Sequence, residues 1–225
     1  MLKALVFDYN GTLVDDLELH VESYYRAGRD LGYGIDRERV RRFISQPPSA
    51  KRPLYYGEIS DAAWEEVFGL KKKIYCELAA TSFRLFPNTA EALRALAARY
   101  DLAILSNTFR FFFERLFPAG LAALFKATLF FEEVPEPKPD PGPMRRMLAL
   151  LGVAPGECAY VGDALEDIRM AKAAGVKAFS VTTGACAEEE LSRAGADWVG
   201  PGLAALAGEL LIPGRNGIDR AKRME

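Results

Sequence analysis

Short apolar runs alternate with helix-patterned stretches through most of this chain, and that alternation restricts the fold to a parallel sheet wound with helices. The runs are Leu2 to Phe7, Leu102 to Leu105, Ala127 to Phe130, Ala159 to Val161 and Ala178 to Val181. Glu91 to Arg99, Pro143 to Leu151 and Glu166 to Ala174 combine helix-forming composition with apolar residues at a spacing of about 3.6. The expected fold class is therefore α/β, a doubly wound, Rossmann-like parallel sheet.

The alternation breaks between about Asp15 and Arg84. There Leu17 to Leu31, Asp36 to Ile44 and Asp61 to Ala80 read as helices without a convincing strand, punctuated by Pro47, Pro48 and Pro53. The expected domains are an α/β core from residues 1–14 and 85–212 and a small all-helical cap, residues 15–84, inserted after the first strand. A cap of that kind hangs over the strand ends, excludes water and selects substrates. Tyr24, Tyr25, Arg41, Arg42, Lys51, Tyr55 and Tyr56 are its candidates for selection, although aromatic residues at helical spacing usually pack in a core. Residues 213–225 read as a loosely held polar tail.

Composition narrows the function classes. With 29 basic and 31 acidic residues scattered along 225, the chain lacks the basic footprint of a nucleic-acid binder. Its one dense cationic run, Lys71-Lys72-Lys73, reads as a solvated helix face. No apolar stretch has membrane-spanning length, and Asp8 and Asn10 interrupt the early hydrophobic segment where a signal peptide would need continuity. Cys76, Cys158 and Cys186 lack the spacing of a disulfide framework or a zinc site, so a cytoplasmic location is expected. His20 is the sole histidine, which removes Ser-His catalysis and multi-histidine metal sites. Hydrolytic chemistry in this chain must rest on carboxylates. Phe109 and Phe111 to Phe113 form an apolar cluster that can face inward or meet a partner, so the pattern fixes no oligomeric state.

Those carboxylates fall at strand ends. Asp8 follows the run ending in Phe7 and precedes Tyr9-Asn10-Gly11-Thr12, so it faces the crevice where α/β sheets bind ligands, with a glycine that lets the backbone curl around an anion. It is placed to be a nucleophile or a metal ligand. Val161-Gly162-Asp163 repeats the pattern, and Asp167 lies one helical turn further on the same face. Three such carboxylates would repel unless a cation lay between them, and all-oxygen ligation favours magnesium. Ser106-Asn107 closes another strand with donors suited to phosphate oxygens, though both residue types are also routine helix caps. Lys138 sits between Pro137 and Pro139, a rigid setting from which an ammonium can neutralise both a nucleophilic Asp and a phosphoryl group.

In order, Asp8-Tyr9-Asn10-Gly11-Thr12, Ser106-Asn107, Lys138-Pro139 and Gly162-Asp163 with Asp167 resemble the signatures of the haloacid dehalogenase superfamily, in particular its phosphoglycolate phosphatase-like branch with a helical cap. The resemblance implies a magnesium-dependent hydrolase of a small phosphorylated metabolite. It makes Asp8 the nucleophile that becomes an aspartyl-phosphate. It assigns Mg2+ to Asp8, the main-chain carbonyl of Asn10 and Asp163, with Asp167 in support. Ser106, Asn107 and the Gly11–Thr12 backbone would bind the phosphoryl group, and Lys138 would balance its charge.

One position departs from the family. Its phosphatases usually carry a second Asp two residues after the nucleophile, serving as general acid and then base, where this chain has Asn10. An amide has no titratable proton near neutral pH. Three readings follow: a slow or specialised phosphatase; a phosphate-binding or regulatory domain that has lost turnover; and a phosphonatase, which would require Lys51 as a Schiff-base lysine. Asn10-Gly11 is also a sequence prone to deamidation where the backbone is flexible, which would create the missing acid.

Overall fold

The structure, a computed structural model, describes residues 1–44, 46 and 48–212; the tail expected at 213–225 lies outside the described residues. Its contacts divide the chain into two units, Met1–Asp15 with Leu85 onward and Asp16–Arg84. In the first unit β1 (Ala4–Phe7) is buried at every position, as a central strand covered on both faces must be.

The second unit is helical: α1 (Leu17–Asp30), α2 (Arg37–Arg42), α3 (Pro48–Tyr56) and α4 (Asp61–Ser82). Asp36 caps α2 by accepting from the N–H groups of Glu38 and Arg39, and Ser60 caps α4 through the N–H of Ala63. Helix α3 fills the proline-punctuated interval between Ile44 and Asp61, where the sequence suggests no helix, and carries Lys51. Pro48 occupies the first helical position, where its missing N–H costs nothing. Pro53 forfeits one internal bond, and the turn holds because the Tyr55 hydroxyl donates to the Val40 carbonyl and that of Tyr56 to Tyr24.

The first unit resumes with α5 (Thr89–Ala97), β2 (Asp101–Leu105), α6 (Arg110–Leu116), α7 (Ala119–Ala122) and β3 (Phe125–Leu129). It continues through α8 (Gly142–Leu151), β4 (Cys158–Gly162), α9 (Leu165–Ala173), β5 (Lys177–Val181), α10 (Glu188–Arg193), β6 (Trp198–Gly200) and α11 (Leu203–Leu210). The six strands run in the order β3-β2-β1-β4-β5-β6 with every pairing parallel, the doubly wound α/β sheet that the alternation predicts. Strand β6 escaped the pattern because three residues are too short to show a period. Because β1 pairs with β2 on one side and β4 on the other, the winding direction switches at β1, the point where such sheets open a crevice at their carboxyl ends. Among the described residues, no helix is long and apolar enough to cross a membrane.

Candidate active site

The crevice is built by register. Phe7 pairs with Val161, so the residues that follow them, Asp8 and Gly162-Asp163, emerge side by side, and the Asp8 N–H donates to the Val161 carbonyl at 2.9 Å. Asp167 closes the group from the first turn of α9: one ligand oxygen from each of Asp8, Asp163 and Asp167 lies within 4.8 Å of the others. All three are buried. Backbone donors fix Asp167, whose Oδ2 accepts from the N–H groups of Asp163 at 3.1 Å and Ala164 at 3.0 Å. That contact leaves no space for a side chain at residue 162, which is why the strand ends in glycine.

Lys138, fully buried, reaches the same cluster from the loop before α8. Its Nζ lies 2.9 Å from Asp8 Oδ2, 2.6 Å from Asp167 Oδ1 and 3.0 Å from the Tyr160 hydroxyl. Asn107 holds that loop at its main chain, donating to the Lys138 carbonyl at 3.2 Å and accepting from its N–H at 3.0 Å, while Nδ2 also meets Glu166 Oε1 at 3.3 Å. The Asn107 side chain is thus spent on positioning the loop. Ser106, one residue past β2, is buried, accepts from the Thr108 N–H and hydrogen-bonds Asp8.

On the opposite flank the Thr12 hydroxyl donates to Asp163 Oδ1 at 2.7 Å. Gly11 takes a left-handed φ of 74° and its backbone passes against the Asp163 carboxylate, leaving no room for a Cβ. Asn10, half-buried, stands between Tyr9 and this turn, bridged to Val14.

Electrostatics here runs against the acids. Burial first, and then the neighbouring Asp8 and Asp167 charges, push the Asp163 carboxyl well above the carboxylate range. Burial also raises Asp8, with Lys138 pulling the other way. For Lys138 burial opposes the charge, but Asp167 and Asp8 outweigh it and hold the ammonium well above the usual lysine range. Three carboxylates around one ammonium leave an excess of negative charge, and their donor set is entirely oxygen. The residues therefore fit a hard divalent cation such as magnesium.

Three contributors lie outside the sequence motifs. Tyr160 looked like a core strand residue. Thr183 donates to the Gly11 carbonyl at 2.6 Å, and Gly184 abuts the Asp163 carboxylate with no space for a Cβ. The signal for Thr183 and Gly184 was their place just past β5, on the sheet edge that carries Asp8 and Asp163.

Within the helical unit, the expectation of a solvated lysine face fails at Lys71. It is buried, with His20 Nδ1 at 2.9 Å and the rings of Tyr24 and Tyr75 at 5.0 and 4.8 Å from its Nζ. The apolar stripe of α4 turns that position inward, while Lys73 is exposed. Tyr24 and Tyr55 are core residues of this unit, packed edge to face at 5.2 Å. Arg41 pairs with Glu18. Lys51, on α3, lies 5.9 Å from the Tyr24 ring centre.

A family model for haloacid dehalogenase-like hydrolases matches residues 2–175. The chain is 30% identical over 207 residues to the phosphoglycolate phosphatase of Escherichia coli K12, covering 81% of this chain and 82% of that one. It is 28% identical to the phosphoglycolate phosphatase of Vibrio vulnificus, over 94% and 97% of the two chains. Among solved structures, a variant of CbbY from Rhodobacter sphaeroides in complex with xylulose-(1,5)bisphosphate superposes with a TM-score of 0.76 at 26% identity, over 88% of this chain and 93% of that one.

Proposed function

The chain belongs to the haloacid dehalogenase-like hydrolases, and from that membership we propose that it hydrolyses a small phosphate monoester, magnesium-dependently, through an aspartyl-phosphate on Asp8. The observation that carries this reading is the convergence of Asp8, Asp163 and Asp167 around Lys138 at the switch point of the sheet. Phosphoglycolate is the first substrate to test, since the relatives just described carry its name.

An Asp8 carboxylate oxygen attacks phosphorus, the bond to the ester oxygen breaks, and the leaving oxygen takes its proton from water. Water then attacks the same phosphorus, releasing inorganic phosphate and free Asp8. Lys138 favours the ionised form of Asp8 against its burial and offsets charge on the phosphoryl oxygens. Ser106 with the Gly11, Thr12 and Asn107 main chain cradles those oxygens. Asp8, Asp163 and the Asn10 carbonyl hold the metal, with Asp167 supporting it and Thr12 orienting Asp163. Bound magnesium supplies charge neutralisation at the phosphoryl group.

Asn10 delivers no proton to the leaving oxygen and removes none from water. Substrates whose leaving groups depart unprotonated, such as aryl phosphate esters and acyl phosphates, therefore turn over fastest. The same residue favours a second reading, a phosphate-binding domain without turnover.

Purified protein assayed with phosphoglycolate, p-nitrophenyl phosphate and acetyl phosphate separates the two. The enzyme reading expects magnesium-dependent phosphate release that Asp8→Asn abolishes. Turnover undiminished by Asp8→Asn refutes transfer through Asp8. Phosphate binding without release from any ester hands the site to the binding reading.

A further inference from the structure

The Lys138 ammonium has three N–H bonds and three acceptors: Asp8 Oδ2, Asp167 Oδ1 and the Tyr160 hydroxyl. The hydroxyl donates its own proton to the Leu105 carbonyl at 2.6 Å, so it turns a lone pair to the lysine. We propose that Tyr160 is a positioning residue for phosphoryl transfer, fixing through Lys138 the orientation of the Asp8 carboxylate; the inference rests on the phosphohydrolase reading above.

An ammonium rotates freely about its last carbon–nitrogen bond, and two carboxylates compete for this one, with Asp167 at 2.6 Å nearer than Asp8 at 2.9 Å. A third acceptor, anchored on β4, removes that freedom: with one N–H on Tyr160 and one on Asp167, the last must point to Asp8. The acceptor has to be neutral, since a fourth carboxylate would deepen the repulsion already present. It also has to donate, because the Leu105 carbonyl is buried at the end of β2 and needs a partner. A phenol meets both demands. Burial first, and then the Asp167 charge, hold the Tyr160 hydroxyl in its protonated form. Leu105 immediately precedes Ser106, so one hydroxyl ties the lysine to the strand end that presents the phosphate-binding serine.

The test is a double-mutant cycle on the full-length protein with magnesium present, combining Tyr160→Phe with Lys138→Met. Its readouts are kcat and KM for p-nitrophenyl phosphate and the affinity for inorganic phosphate. Tyr160→Phe is expected to lower kcat roughly tenfold with KM changed less than about threefold, and to weaken phosphate binding roughly tenfold. In the Lys138→Met background it should weaken phosphate binding no further. Equal weakening in both backgrounds, or a kcat and phosphate affinity untouched by Tyr160→Phe, overturns the proposal. Should that variant not fold, 3-fluorotyrosine at position 160 keeps the packing and weakens the acceptor. A fall in kcat then supports the role, and an unchanged kcat refutes it. If the native protein turns over no ester, the phosphohydrolase reading fails, and the phosphate-affinity cycle still decides whether Tyr160 acts through Lys138.

Discussion

At residue 10 one atom separates the amide of this chain from a carboxyl that could act as acid and base. Asparagine and aspartate are nearly the same size, and the contribution expected from this position to metal binding comes from its main-chain carbonyl, so Asn10→Asp should leave the magnesium requirement intact. It should raise kcat for an alkyl phosphate by about 10² to 10⁴, the usual worth of a general acid and base, and raise it far less for acetyl phosphate, whose leaving group needs no proton. A steady-state comparison of the two substrates checks this, and an equal gain on both would show that the new carboxyl does not act by proton transfer. The alternative route to an acid, deamidation, meets a structural obstacle. It requires the Gly11 nitrogen to attack the Asn10 side chain, yet that N–H donates to the Val14 carbonyl at 3.0 Å, and the Gly11 carbonyl is held by Thr183. Peptide mapping of aged native protein should therefore find Asn10 intact while the urea-unfolded chain converts. Conversion at equal rates would show that the turn opens freely.

Helices α1 and α4 carry a titrating device of their own. His20 lies between Lys71 at 2.9 Å and Asp16 at 3.2 Å, and the Tyr75 hydroxyl donates to the same Asp16 carboxylate at 2.5 Å. Burial first, and then the Lys71 charge, push the His20 imidazole from 6.5 down to about 4, against the pull of Asp16. Between those values the unfolded chain binds a proton that the folded unit refuses. The stability contributed by the neutral ring is thus complete above pH 6.5 and lost as pH falls to about 4, a change of about 3 kcal/mol. Trp64 packs with the aromatic core of this unit and reports on it. Its fluorescence in Trp198→Phe protein should show the urea midpoint falling across that window, and His20→Gln should flatten the slope. An unchanged slope in His20→Gln would locate the linkage elsewhere. None of this was legible in the sequence: the period of α4 marks its apolar residues, but a lysine on the apolar edge reads the same whether its head reaches water or an imidazole one helix away.

For the molecule as a whole, the legible part was whatever depends on local order along the chain. Apolar runs mark five of the six described strands, and because parallel pairing aligns strand ends, the positions of Asp8, Ser106 and Asp163 at those ends are legible from the sequence alone. What stayed hidden is set across the sheet: that Tyr160 reaches Lys138, that Asn107 clamps a loop, and that Gly184 backs Asp163 all depend on side chains crossing between strands far apart in sequence. The same cross-sheet convergence gathers three buried acids whose joint ionisation a divalent cation would favour. Asp163→Asn removes the acid whose ionisation burial and its neighbours oppose, while keeping an oxygen to accept from Thr12. Without magnesium this variant should melt above the native protein, because the unfolded chain gains the ionisation of Asp163 that the fold opposes, and an amide has none to gain. With magnesium at about a hundred times its dissociation constant, the native protein should gain about 2.7 kcal/mol, a rise of about 5 to 10 °C for a chain of this size. Asp163→Asn should gain little, so the order of the two melting temperatures inverts on adding the metal. Calorimetric scans with EDTA and with magnesium test the inversion. Equal shifts in both proteins would mean that the ion binds away from Asp163, and with it would fall the assignment of these three carboxylates to a single metal.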